Sequence, residues 1–202
     1  MCRRLLCYGD SNTYGYDPRS YLGGRYPQSV RWTALLREYG WDVINRGENG
    51  RSIPRSDSEI KAAVQSLCCV ESDILTIMLG SNDLLQMPSP SARECADRME
   101  RFLTALLHAD GWDKSRNILL IAPPPMTLGT WVQDEETIAA SHRLAECYED
   151  TARLLNIGFA NADNWEIGLT YDGVHFSEAG HMAFAEGVHE VLLALVSEKR
   201  GR

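Results

Sequence analysis

The sequence predicts a three-layer α/β/α domain around a five-stranded parallel sheet, and two features carry that prediction. Short apolar runs alternate with amphipathic stretches almost from one end of the 202 residues to the other. The runs are continuous rather than alternating apolar and polar, the pattern of strands covered on both faces by crossover helices. No internal repeat, low-complexity tract or linker interrupts the series, so residues 1–202 read as one domain.

The elements follow in order. The first strand is Arg3 to Tyr8, with Leu5, Leu6, Cys7 and Tyr8 as its apolar run. The spacing of Trp32, Leu35, Leu36 and Tyr39 predicts a helix over about Ser29 to Tyr39, with Gly40 as its stop. Trp41 to Asn45 is the second strand. Ile60, Ala63, Val64 and Leu67 share one stripe of a helix over Ser56 to Leu67. Asp73 to Leu79 is the clearest central strand. Ser91 and Glu94 have capping-box spacing ahead of a helix in which Cys95, Met99, Phe102, Leu103 and Leu106 recur at helical intervals. Ile118 to Ala122 is the fourth strand, ended by Pro123, Pro124 and Pro125. A helix over Glu135 to Leu155, a short strand over Ile157 to Ala160 and a helix over Ser177 to Val196 complete the series.

Composition excludes several classes of function. A hydrophobic fraction of 44% and a charged fraction of 24% are ordinary for a globular protein. The net charge of −8 argues against a basic face, so no nucleic-acid partner is expected. Of the cysteines, Cys2, Cys7, Cys68, Cys69, Cys95 and Cys147, none forms a C-x-x-C pair; small buried hydrophobes are the expected role. His108, His142, His181 and His189 fall on helix-like stretches without metal-ligand spacing and read as surface or packing residues. No metal or organic cofactor is expected. Met1 to Tyr8 lacks the apolar core and cleavage site of a signal peptide, and no run approaches the length of a membrane span. The expectation is a cytoplasmic protein with no membrane partner.

In open parallel sheets, ligands bind beyond the carboxyl ends of the strands. Polar residues cluster after the apolar runs here. Gly9-Asp10-Ser11-Asn12 follows the first strand, Gly47-Glu48-Asn49-Gly50-Arg51-Ser52 the second, and Gly80-Ser81-Asn82-Asp83 the third. Asp172-Gly173-Val174-His175 precedes the last helix. Together they supply what acyl transfer needs. Ser11 is a nucleophile if a base takes its proton, and His175 is of the residue type that can do so near neutrality. Asp172, three residues earlier, is placed to hold the other ring nitrogen. The backbone N–H groups of Ser11 and Gly50 and the side-chain amide of Asn82 are candidate donors to an oxyanion. Each segment alone is compatible with a turn or a cap; the set, each at a strand end, is the specific signal.

The four segments resemble the signature blocks of the SGNH, or GDSL-type, hydrolases. The similarity is greatest to the small arylesterase and acyltransferase branch, through Arg31-Trp32-Thr33, Ile77-Met78-Leu79-Gly80, Pro123-Pro124-Pro125 and Asp172-Gly173-Val174-His175-Phe176. It implies a flavodoxin-like sheet, a triad of Ser11, Asp172 and His175, and an oxyanion hole of Ser11, Gly50 and Asn82. It also implies a small-molecule ester substrate, carrying a short-chain acyl or acetyl group, and is compatible with a homo-oligomer. Asn12 stands where the pattern often has Leu.

Other readings stay open beside this one. A carbohydrate O-acetyl esterase would share the triad and differ in the loops that meet the alcohol. A non-catalytic small-ligand-binding module could use the same fold. No Gly-x-Ser-x-Gly elbow, P-loop or Gly-x-Gly-x-x-Gly fingerprint is present, which argues against α/β-hydrolases and nucleotide-binding sheets. Asp10 and Asp83 read as capping residues and Arg51 as a loop fastener. Tyr14, Tyr16 and Trp131 are candidates to line a pocket.

Overall fold

In the computed structural model, residues 3–20 and 24–198 are described; Cys2 lies outside them. Five strands form one sheet: β1 (Arg4–Gly9), β2 (Asp42–Gly47), β3 (Ile74–Met78), β4 (Asn117–Ala122) and β5 (Gly158–Asn161). Their order is β2-β1-β3-β4-β5, and every pairing is parallel. β3 is buried along its whole length, as its unbroken apolar run requires.

Successive side chains of a strand point to opposite faces, so one run feeds two cores. Leu6, Leu75, Ile77 and Leu120 face one core. It is closed by α3 (Asp57–Cys68), α5 (Ala92–Leu107) and α6 (Glu135–Leu155). Leu5, Cys7, Ile74 and Leu119 face the other, closed by α2 (Trp32–Glu38) and α7 (Glu178–Glu198). Burial pushes the Cys7 and Cys95 thiols up to about 12, so both behave as apolar side chains.

Boundaries shift by a residue or so, except that α2 begins at Trp32 rather than near Ser29. Ser56 forms the full capping box with Glu59. Ser91 makes only half of the expected one: its hydroxyl accepts from the Glu94 N–H, while the Glu94 carboxylate pairs with Arg98. Three short elements are additional: α1 (Ser11–Tyr14), α4 (Ser81–Gln86) and a 3-10 turn at Ala162–Trp165. The last helix also corrects an expectation. Its stretch Glu178–Ser197 is long and apolar enough to cross a membrane by length and composition, with a mean hydropathy of 1.2. In this fold that apolarity serves the sheet, since Phe184, Ala185, Val188 and Leu192 are buried in the second core.

The strand order reverses between β1 and β3. The chain leaves β1 toward α2 on one face and leaves β3 toward α5 on the other. Such a switch point opens a crevice at the carboxyl ends of the two strands. Ser11 begins α1 directly after β1, and Ser81-Asn82 begins α4 directly after β3.

Candidate active site

Ser11 opens a single helical turn whose entry is fixed by Asp10. The Asp10 carboxylate accepts the Asn12 N–H at 3.0 Å, and Gly15, at φ 89°, ends the turn. Asp10 is fully buried; burial raises its carboxyl to about 6 although the Asn12 N–H and the neighbouring His175 oppose the rise.

Asp172 and His175 sit on one tight turn. Asp172 Oδ1 accepts the backbone N–H groups of Val174 and His175, each at 2.9 Å, and Oδ2 lies 2.7 Å from His175 Nδ1. Burial alone would raise this carboxyl. The hydrogen bonds from the His175 ring and from the two backbone N–H groups outweigh it and hold Asp172 down to about 2. An ionised carboxylate can only accept, so Nδ1 carries the proton. Nε2 lies 2.9 Å from Ser11 Oγ, and in the neutral ring it is the nitrogen that accepts from the hydroxyl. Carboxylate, imidazole and hydroxyl thus form one hydrogen-bonded chain, and all three residues are buried.

The turn is locked from outside. Gly173 has φ 82°, and a Cβ there would meet Thr127 O at 2.0 Å, so only glycine fits. Thr127 N donates to Gly173 O at 3.0 Å and Trp131 N to Asp172 O at 3.2 Å, which docks residues 127–131 on the turn. The docked segment brings the Trp131 ring edge-on to the His175 ring, with centroids 5.5 Å apart, while the indole stays 57% exposed. Tyr16 approaches the same imidazole at 4.8 Å. Tyr14 does not; its ring lies under the Arg25 guanidinium at 4.3 Å.

On the β3 side, Asn82 Nδ2 donates to Arg51 O at 3.0 Å. A carbonyl oxygen can meet only the NH₂ end of the amide, so this contact orients the side chain and leaves a second N–H for a ligand. The buried Asp83 carboxylate ties the neighbourhood together. It accepts the Ile53 N–H at 2.9 Å and pairs with Arg98 at 3.1 Å and Arg55 at 3.6 Å. Burial raises Asp83, against those partners. Arg51 fastens the loop, as expected: it donates to Gly9 O at 2.9 Å, pairs with Glu48 at 2.5 Å and lies 4.2 Å over the Tyr8 ring. Gly50 is exposed, with φ 75° and open space where a Cβ would be.

The sequence reading missed Asn12 as a part of the site. Its side chain bridges the backbone on either side of His175: Nδ2 donates to Val174 O at 3.1 Å and Oδ1 accepts the Phe176 N–H at 2.9 Å. Its own carbonyl accepts the Trp32 indole N–H at 2.9 Å. An amide directly after the candidate nucleophile, where the family pattern often has Leu, was the available signal, since Asn12 is buried in the fold and a buried Asn needs partners. Among the described residues, no group of three or more His, Cys, Asp or Glu side chains is placed to hold a metal ion.

A model of the GDSL-like lipase/acylhydrolase family matches residues 7–183. The chain belongs to that family. Among solved structures of similar fold, a carbohydrate acetylesterase family member from Sinorhizobium meliloti superimposes with a TM-score of 0.84 at 26% identity, over 96% of this chain and 99% of that one. The M. smegmatis aryl esterase does so with a TM-score of 0.76 at 27% identity, over 94% and 100%. Est24, a carbohydrate acetylesterase from Sinorhizobium meliloti, matches in fold with a TM-score of 0.82 at 23% identity, over 96% and 99%. No curated protein matches the sequence. The family match supports an ester hydrolase, and the neighbours share its SGNH-type architecture.

Proposed function

We propose that this hydrolase is a serine esterase acting on small acyl or acetyl esters through an acyl-enzyme on Ser11, in the cytoplasm and without a cofactor. The observation that supports it most is the continuous hydrogen-bonded chain from Asp172 through His175 to Ser11. Ser11 Oγ attacks the ester carbonyl carbon as its proton passes to His175 Nε2. Asp172 stabilises the resulting imidazolium. The backbone N–H groups of Ser11 and Gly50 and the free N–H of Asn82 receive the oxyanion. Collapse expels the alcohol, which takes the proton from His175. Water then attacks the acyl-enzyme with His175 again as base, releasing the carboxylic acid and restoring the Ser11 hydroxyl. An alcohol in place of that water gives acyl transfer. Free thiols at Cys7, Cys68, Cys69, Cys95 and Cys147 suit a reducing compartment.

The test is Ser11→Ala, read by fluorophosphonate labelling and by turnover of p-nitrophenyl acetate. Labelling and turnover are both expected to disappear; undiminished labelling would move the nucleophile elsewhere. A second reading, a carbohydrate O-acetyl esterase, draws on Trp131. Because His175 hands its proton to the leaving alcohol, rings flanking the imidazole line the alcohol side, and an exposed indole is a stacking surface for a sugar ring. Rates on p-nitrophenyl esters of rising chain length, beside acetylated xylan, separate the two. Inactivity on all of them would favour a binding module.

A further inference from the structure

Away from the triad, at the other end of α1, three arginines share one surface cavity of about 280 Å³. Arg25, Arg31 and Arg37 line it, with Gln28, Thr33 and Asn45 between them. The chain carries 28 Asp and Glu against 20 Lys and Arg, so carboxylates are plentiful. Arginines elsewhere use them: Arg4 pairs with Asp42, Arg19 with Asp17, and Arg98 with Asp83. Among the described residues, no carboxylate forms an ion pair with any of the three in the cavity, and the charges of Arg25 and Arg37 repel that of Arg31, with Tyr14 opposing them weakly. Burial, then this mutual repulsion, lowers Arg31.

Their hydrogen bonds leave most of the guanidinium donors open. Arg25 Nε donates to Tyr14 O at 2.5 Å and Arg37 Nη2 to Val43 O at 2.7 Å. Arg31 Nε is buried and has no partner among the described residues. A buried donor left unmade costs stability, and a third like charge adds to that cost. Three guanidinium groups facing one cavity without a carboxylate among its lining residues favour an anion there.

We infer that this cavity binds a phosphate group, either as the inorganic ion or carried by a small monoester. Guanidinium forks match the oxygens of a tetrahedral oxyanion in pairs, and three of them suit a dianion better than a single carboxylate. The site stands apart from the triad but touches the same helix. Arg25 holds the carbonyl of Tyr14, Asn45 Nδ2 donates to Thr13 O at 2.7 Å, and Gly15 leaves room for the Arg31 stem, which a Cβ there would meet at 2.6 Å. An occupant would therefore brace the carboxyl end of the turn that begins with Ser11.

The test is calorimetric titration of the intact protein with inorganic phosphate and, separately, with glycerol phosphate, against chloride at matched ionic strength. Saturable binding of either phosphate is expected, with about tenfold loss of affinity in Arg37→Gln, an exposed position outside the catalytic machinery. Tighter binding of the monoester identifies an organic phosphate as the occupant; equal or weaker binding identifies the free ion. Arg31→Gln should abolish the binding, and a cooperative melt checks that both variants fold. The inference falls if neither phosphate binds beyond chloride, or if Arg37→Gln binds as the parent does.

Discussion

Two buried imidazoles lie six positions apart, and they have opposite surroundings. His175 is 3% exposed, with a carboxylate on one ring nitrogen and a hydroxyl on the other. His181 is fully buried with neither nitrogen hydrogen-bonded among the described residues. It stands edge-on to Tyr26 at 5.2 Å and to Phe176 at 5.4 Å. Burial, with the charges of Arg31 and His175 adding to it, lowers His181 to about 3. Removal from water is common to both. What differs is the partner at each nitrogen, and that decides whether a ring can accept a proton during a reaction or is locked neutral.

The comparison is most directly broken by substituting each ring. His175→Gln is expected to lower kcat on p-nitrophenyl acetate by about 10⁴- to 10⁶-fold, the usual scale for loss of a triad base. His181→Phe, which keeps a ring among Tyr26 and Phe176, should leave kcat within a few-fold. Equal losses in the two variants would erase the distinction. The oxyanion donors come next. Asn82→Ala should reduce kcat by roughly 10²- to 10³-fold with little change in KM, because the amide acts mainly on charge that develops in the transition state. A near-normal rate would remove Asn82 from that role.

The contrast also marks where sequence reasoning stops. The sheet, its helices and the strand-end segments were legible because they rest on local signals: apolar runs such as Ile74–Met78, caps such as Ser56, and turns at carboxyl ends. Ser11, Asp172 and His175 could be grouped because parallel topology sends those ends to one edge. What holds the group in register was not legible. The docking of residues 127–131 on the 172–175 turn runs through backbone hydrogen bonds, which leave little trace in side-chain identity. Asp83 reads as a cap in the sequence. In the fold it is the buried anchor of Arg55, Arg98 and the Ile53 N–H, because its partners come from segments 15 to 30 residues away.

Asn12 belongs to the same class and gives a smaller effect. It spans the backbone before and after His175, so it acts as a positioning residue through the imidazole. Asn12→Leu, the residue the family pattern often carries, loses both contacts at similar volume. A fall in kcat of about 10- to 100-fold is expected, with KM nearly unchanged, since a small misplacement of a catalytic group costs on that scale. The pH–rate profile of the variant should move as well, because the environment of the His175 ring changes. A loss of thermal stability with an unchanged profile and rate would make Asn12 purely structural.

The smallest effect is on stability, and it tests the inert ring directly. His181 falls from an ordinary 6.5 to about 3 in the fold, so between those values the unfolded chain binds a proton that the folded chain does not. Stability therefore rises with pH across that window, by about 1.4 kcal/mol per pH unit from this group. Asp10, raised from 3.8 to about 6, has the opposite sign: its folded form keeps the proton longer, and its contribution is lost as pH rises through that range. The two slopes oppose each other between about pH 4 and 6, so the parent protein alone shows little. Denaturant melts of the parent and of His181→Phe at each pH separate them, because the Asp10 contribution is common to both. The stability difference should grow in favour of the parent as pH rises from 3 to 6.5. A difference that stays flat would mean that His181 takes its proton inside the fold, and the contrast between the two rings would then be one of reach to Ser11 rather than of charge.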